Sequence, residues 1–99
     1  MSSLSEIMTA YTQPAHHALH NLGVMVGKMY TDHGLPVDMS LKRLNYSKQE
    51  KISILDGVCS WMIQHKKNSG ATDKAIERQK LSNKTVMDHF ISSGESGLY

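Results

Sequence analysis

The sequence predicts an all-α protein, a small helical bundle of three main helices with one or two short helices. Two Ser-x-x-Glu capping boxes, Ser3–Glu6 and Ser47–Glu50, each stand at the start of a helical pattern. No segment alternates apolar and polar residues as a half-buried strand would. The clearest helix is indicated by apolar residues that recur every three or four positions: Ala15, Ala18, Leu19, Leu22, Met25, Val26, Met29 and Tyr30. We expect this stripe to face the core.

The size of the chain limits it to one core. With 99 residues, 39% of them hydrophobic, it is long enough for a single small domain. We expect a helical domain over residues 1–93 and a flexible tail over 94–99, which is rich in serine and glycine. No apolar run approaches the roughly 18 residues of a membrane helix.

The helix boundaries follow from local signals. A short helix is expected over about 4–11, and a second one ends near His33, before Gly34 and Pro36. The connector 35–46 has room for one helical turn at 39–44. A helix over about 48–67 follows the second capping box. The last helix starts at Thr72 or Asp73, and we expect a break or kink at Ser82-Asn83 before a final apolar face.

Charge is unevenly distributed along the chain. The net charge is −2 over residues 1–41, +6 over 42–84 and −2 over 85–99. One interpretation is a solvated surface, and another is a basic patch for an acidic partner. The basic region also raises the alternative of DNA or RNA binding, although few aromatic residues lie among the basic ones. The residues that would carry it are Lys42, Arg43, Lys48, Lys51, Lys66, Lys67 and Arg78.

The N-terminus and the cysteine content predict a cytoplasmic protein. Lys28 is the first basic residue, so the charged start of a secretory signal peptide is missing. Cys59 is the only cysteine and has no partner for an internal disulfide. We expect a complete gene product of a type that is common on phages and other mobile elements.

Residue patterns with known chemistry are scarce. His16 and His20 share one helix face and could chelate a metal, which leaves a metal-responsive protein as a third alternative. Two ligands do not make a structural zinc site, so we expect solvated histidines, no metal and no cofactor. Cys59 lies on an apolar face without a nearby base, as expected of a buried residue. We therefore predict no catalytic residues and no enzyme.

Gly23 and Gly27 lie on one side of the second helix, displaced from its apolar stripe by about 100°. Glycine inside a helix costs about 1 kcal/mol relative to alanine, so two on one side indicate the close approach of another backbone. That backbone belongs either to another helix of the chain or to a second chain.

The 48–67 helix carries two neighbouring apolar stripes. Ile52, Leu55, Cys59, Met62 and Ile63 form the first, and Ile54, Val58, Trp61 and His65 form the second. Their combined arc of roughly 200° is wider than a surface helix needs. The helix is therefore central in the bundle or lies at an interface. We expect the second stripe to bind a partner, with Trp61 as an anchor.

These observations predict a non-enzymatic protein–protein interaction protein, a small inhibitor, immunity or regulatory protein that masks a surface of its target. A homo-oligomer fits the same features. The expected partner-binding residues are Ile54, Val58, Trp61, His65, Gly23 and Gly27.

Overall fold

The computed structural model describes the backbone of residues 3–95. Helices account for almost all of these residues. They are α1 (Ser3–Tyr11), α2 (His16–His33), α3 (Val37–Arg43), α4 (Lys48–Asn68) and α5 (Asp73–Ser93). Residues 3–95 contain no strand. The predicted all-α fold is confirmed.

The helix ends follow the signals in the sequence. Ser47 and Glu50 form the predicted capping box at the start of α4, with Ser47 N–H donating to Glu50 Oε1 at 2.9 Å. Gly34 ends α2 in the left-handed conformation, with φ 69°. Thr72 caps α5 by accepting from the Ala75 N–H at 3.2 Å. The first predicted box begins at Ser3, whose side chain lies outside the described residues.

The core is built around α4. This helix packs against α1, α2 and α5, and its interface with α2 is the most extensive in the fold. Ile52, Ile54, Leu55 and Val58 are completely buried. The other helices add the remaining buried apolar side chains, among them Ala10, Leu19, Val26, Val37, Leu41, Val86, Met87, Phe90 and Ile91.

The face that α2 turns to the core differs from the expected one. Leu19, Gly23, Val26 and Gly27 are buried, whereas Met25 and Met29 are 57% and 42% exposed. The buried face is thus rotated by roughly 75° from the centre of the predicted stripe, toward the glycines, and it shares Leu19 and Val26 with that stripe. The physical reason is that the glycines let the α4 backbone lie directly on α2, so close backbone packing outweighs the apolar pattern.

The predicted break at Ser82-Asn83 is wrong, because α5 is continuous from Asp73 to Ser93. The Asn83 amide donates to the Cys59 carbonyl of α4 at 3.1 Å and accepts from Gln79 Nε2 at 2.9 Å. These bonds satisfy the polar side chains while the backbone stays helical. The short helix in the connector spans Val37–Arg43 and is longer than the expected single turn.

The end of α5 meets the start of the predicted C-terminal tail. Of the predicted tail, residues 96–99 lie outside the described residues, and Gly94 ends α5 with φ 81°. Among the described residues, the structure offers no helix with both the length and the apolar character to cross a bilayer.

Candidate functional site

The second apolar stripe of α4, expected to face a partner, lies inside the domain. Ile54 and Val58 are completely buried. The wide apolar arc of α4 is used within the chain, since α1, α2 and α5 all pack on this helix. As folded, neither side chain offers a surface to a second chain, which corrects their assignment as partner-binding residues.

Trp61 and His65 lie at the edge of the α2–α4 interface and are half-buried. The Trp61 Nε1–H donates to Thr31 Oγ1 at 3.0 Å, and Lys28 Nζ lies 5.2 Å from the centroid of the indole ring. The His65 ring centroid is 5.7 Å from that of Trp61. The indole is therefore held mainly by α2 of the same chain.

Gly23 and Gly27, the other two expected partner-binding residues, are also interior. A Cβ atom at Gly23 would overlap the backbone carbonyl of Ile54 and would lie 2.9 Å from the Cα atom of Gly57. A Cβ atom at Gly57 would in turn overlap the His20 carbonyl. At Gly27 the neighbour is the Trp61 side chain. Of the two alternatives, the close backbone thus belongs to a helix of this chain.

Because α2 turns its glycine side inward, it leaves an apolar face outside. We call Ala18, Leu22, Met25 and Met29 the outer α2 face. Their spacing of four, three and four residues aligns them along the helix. Leu22 is half-buried against the core, and the other three are exposed. Three exposed polar residues border this face on one side: Asn21, Lys28 and Asp32.

A polar cluster joins α1, α2 and α4 on a different side of α2. Asp56 is its centre, since its Oδ2 lies 2.7 Å from His20 Nδ1 and its Oδ1 accepts from the Tyr11 hydroxyl at 2.9 Å. The His20 and Asp56 side chains are 26% and 23% exposed to solvent. Solvent and small ions therefore reach the pair.

His16 extends this cluster toward the interior. Its Nδ1 lies 2.7 Å from Ser53 Oγ, and Ser53 is completely buried. The Gln13 amide donates to Ser53 Oγ at 3.1 Å and to the Gln49 carbonyl at 3.1 Å. The ring centroids of His16 and Tyr11 are 4.8 Å apart.

Sequence reasoning identified only the histidines of this cluster. Ser53 and Asp56 were missed, although a signal was present: they are polar residues three positions apart in the apolar run of α4, and so share a helix face. A buried polar row on a central helix needs partners on a neighbouring helix. The identity of those partners depends on the packing of α2 against α4.

An open cleft of about 380 Å³ adjoins the cluster between α1, α4 and α5. Burial, with a smaller contribution from the Asp56 charge, raises the pKa of the Cys59 thiol in this cleft to about 12. Burial and then the hydrogen bond to Asp56 raise the pKa of Tyr11 to about 12. The residues that line the cleft are Ile7, Tyr11, Asp56, Cys59, Asn83, Lys84, Met87 and Asp88.

The basic residues of 42–84 are spread over α3, α4 and α5. Lys48 Nζ lies 3.6 Å from Glu6 Oε1, and Lys42 Nζ lies 3.9 Å from Glu95 Oε1. Lys80 pairs with Glu77 at 3.0 Å. These acidic partners lower the positive charge that the region presents to solvent. Lys67 and Arg78 are exposed, and Lys51 and Lys66 are half-buried.

Comparison with known proteins adds no relative. No protein-family model, curated protein or solved structure matches the chain.

Proposed function

We propose that this chain is a non-enzymatic protein-binding protein that covers a surface of its target, as a small inhibitor, immunity or regulatory protein does. The observation that carries the proposal is the outer α2 face, where Ala18, Met25 and Met29 on successive turns are exposed beside the half-buried Leu22. Met25 is 57% and Met29 42% exposed. Contiguous apolar surface of this kind marks interaction sites in soluble proteins.

The composition of the outer α2 face suits a binding role. Methionine is flexible and polarizable, so it adapts its shape to a partner surface. Ala18 is small and lets a partner approach the helix backbone. Asn21, Lys28 and Asp32 give the apolar face a polar border on one side, as at the rim of an interface. The proposal thus keeps the function expected from sequence and moves it from α4 to α2.

The buried hydroxyl of the polar cluster and the thiol of the cleft support the non-enzymatic part of the proposal. Ser53 is completely buried, so no substrate reaches its hydroxyl. Cys59 has its pKa raised to about 12 and is almost wholly in the thiol form at neutral pH, and the thiol is a poor nucleophile. Neither group is poised for covalent catalysis.

The partner that fits this face is a protein with a complementary apolar groove. A second copy of the chain is the other occupant of the same class, and it would make the protein a homo-oligomer. We propose that binding takes place in the cytoplasm, in a phage or mobile-element setting. Neither feature is needed for the argument from the outer α2 face.

The experiment is a pull-down from the native host with nuclease-treated lysate, followed by mass spectrometry, with three baits. The wild type should capture a protein that M25E/M29E does not capture. Leu81→Glu is the matched control, because Leu81 is 68% exposed on α5 and receives the same change. Capture by wild type and L81E but not by M25E/M29E supports the proposal. Capture by all three baits, or by none, contradicts it.

Nucleic-acid binding through the basic region stays the alternative function. The exposed Lys67 and Arg78 on neighbouring helices favour it. The pairs of Lys42, Lys48 and Lys80 with acidic residues weaken it. Binding of this kind would fall steeply with salt, because phosphate contacts release counterions. A fluorescence-anisotropy titration with duplex DNA and RNA at two salt concentrations distinguishes it from the main proposal.

A further inference from the structure

We propose that His16, His20 and Asp56 form a binding site for a divalent transition-metal ion of the zinc type. A ring nitrogen of each histidine and a carboxylate oxygen of Asp56 all lie within 4.8 Å of one another. The histidines come from one face of α2, and Asp56 comes from α4. From the sequence we expected no metal, because only two ligands share a helix face, and the fold supplies the third.

The donor set selects the class of ion. Imidazole nitrogen is a good ligand for zinc, copper, iron and nickel, whereas calcium and magnesium prefer sites made only of oxygen. Two imidazoles and one carboxylate are a common three-ligand set for zinc, with a fourth position left for water or another ligand. All three side chains are half-buried, so an ion can enter from solvent.

The ligand positions are close to what such an ion needs. Bonds of 2.0–2.1 Å in tetrahedral geometry place ligand atoms about 3.3 Å apart. The widest separation of 4.8 Å must therefore shorten by about 1.5 Å, within reach of side-chain rotation. The hydrogen-bonded His20 and Asp56 atoms, now 2.7 Å apart, must separate by about 0.6 Å. The hydrogen atom between them must leave that position as the ion takes its place, and in a neutral imidazole it moves to Nε2.

The surroundings hold the ligands in place. Gly57, next to Asp56, lies against the His20 carbonyl, so the backbones of α2 and α4 are in contact beside the site. Ser53 is hydrogen-bonded to His16, and Tyr11 to Asp56. Hydrogen bonds to ligands from such outer partners orient them and strengthen metal binding in known sites.

The site is independent of the proposed protein-binding function. On the α2 wheel, His16 and His20 are roughly 150° or more from the centre of the outer α2 face. An ion at the site would join α2 to α4 without touching Met25 or Met29. The two proposals can therefore fail separately.

The test is isothermal titration calorimetry of the tag-free full chain with zinc chloride at neutral pH. We expect one zinc per chain with a micromolar or tighter Kd. His16→Gln and Asp56→Asn should each weaken binding at least tenfold. His17→Gln is the matched control, since His17 is the exposed neighbour of His16 on α2 and is not part of the cluster. Its Kd should stay within twofold of the wild type.

A second measurement makes the result independent of heat signals. Zinc should raise the Tm of the wild type and of H17Q, because a ligand that binds only the folded state stabilises it. The Tm of D56N should not respond. Circular dichroism establishes that each variant is folded, and if H16Q is not, His20→Gln takes its place. The proposal is overturned if zinc binding does not saturate, if it survives in D56N, or if H17Q loses it equally.

Discussion

Gly23 of α2 lies directly against the backbone carbonyl of Ile54 on α4, with no room for a side chain between the two helices. This contact determines the rest of the arrangement. It turns the glycine side of α2 inward and brings His20 alongside Asp56. It also leaves Met25 and Met29 outside. The candidate surface and the candidate metal site both follow from one backbone crossing.

The variant Gly23→Ala tests this contact. Alanine is a better helix former by about 1 kcal/mol, so an open position would gain stability. Here the methyl group meets backbone atoms of α4, which cannot rotate away. We expect a loss of about 3 kcal/mol in the free energy of unfolding, at the upper end for overpacking. Urea denaturation followed by circular dichroism measures it.

Two matched variants complete that test. Gly27→Ala should cost less than G23A, since its methyl group meets the Trp61 side chain, which can shift. Asn21→Ala, at an exposed position of the same helix, should be neutral or slightly stabilising. If G23A were as stable as N21A, the two backbones would not be in contact.

The orientation of α2 makes a second prediction. Leu19 is 5% exposed, so Leu19→Ala should cost about 2–5 kcal/mol. Met25→Ala removes a side chain that is mostly in solvent and should change the free energy of unfolding by less than about 0.5 kcal/mol. Chemical denaturation of both variants gives the comparison. If M25A lost as much free energy of unfolding as the Leu19 variant, or more, the side of α2 that carries Met25 would face the core, as the apolar stripe predicts.

The outcome for α2 shows which structural features can be read from local sequence. The capping box at Ser47 and the helix end at Gly34 depend on residues close in the chain, and the structure has both. The choice of buried face depends on α4, which is distant in sequence. Glycine contributes nothing to an apolar pattern, so the pattern gave no weight to the residues that decide the packing.

Asn83 carries the third prediction. Asn83→Ala removes the amide that bonds to the Cys59 carbonyl and to Gln79. Although alanine favours the helix, we expect a net loss of about 1–2 kcal/mol in the free energy of unfolding, because buried polar groups lose partners. Lys84→Ala, at the exposed next position, is the control and should change stability by less than about 0.5 kcal/mol. Thermal and urea unfolding measure both variants. If N83A had the same free energy of unfolding as K84A, these bonds would contribute nothing to stability.

The same residue explains the wrong prediction of a break in α5. Serine and asparagine compete with the helix backbone for hydrogen bonds, which is why Ser82-Asn83 indicated a break. In the fold, Asn83 bonds to α4 instead. A polar residue in a helical pattern either interrupts the helix or hydrogen-bonds to a neighbouring helix. Which of the two occurs depends on where the neighbouring helix lies.

The pH dependence of stability at alkaline pH is the fourth prediction. The pKa of Cys59 is raised from 9.0 to about 12 by burial, so the folded state keeps a proton that the unfolded state releases. Its stabilising contribution is full below about pH 9 and is lost as the pH rises toward 12. The free energy of unfolding should therefore fall above pH 9. Tyr11, with its pKa raised to about 12, adds to the fall above pH 10.

Cys59→Ala isolates the thiol contribution. The variant loses packing at every pH, so the slope against pH is the readout rather than the absolute value. We expect a shallower decline between pH 9 and 11 than in the wild type, measured by urea denaturation across that range. Groups that titrate in both proteins cancel in the comparison. Parallel slopes would mean that the Cys59 thiol ionises as readily in the folded state as in the unfolded one.

The polar cluster was only partly accessible to sequence reasoning. The i, i+4 spacing of His16 and His20 places both on one face of α2 without further information. The contribution of Asp56 depends on how far α4 is shifted along α2, and the crossing at Gly23 and Gly57 sets that shift. Spacing within one helix can be read from sequence, and the register between two helices cannot.

The central claim, that the outer α2 face binds a protein, is tested most directly by methionine oxidation mapped by mass spectrometry. In the free protein, Met25 and Met29 should oxidise rapidly and Met62 and Met87, which are 7% and 8% exposed, slowly. With the captured partner bound, Met25 and Met29 should become protected. Met8, 59% exposed on α1, should stay reactive as an internal control. Protection of Met8 without protection of Met25 and Met29, or no protection at all, would contradict the claim.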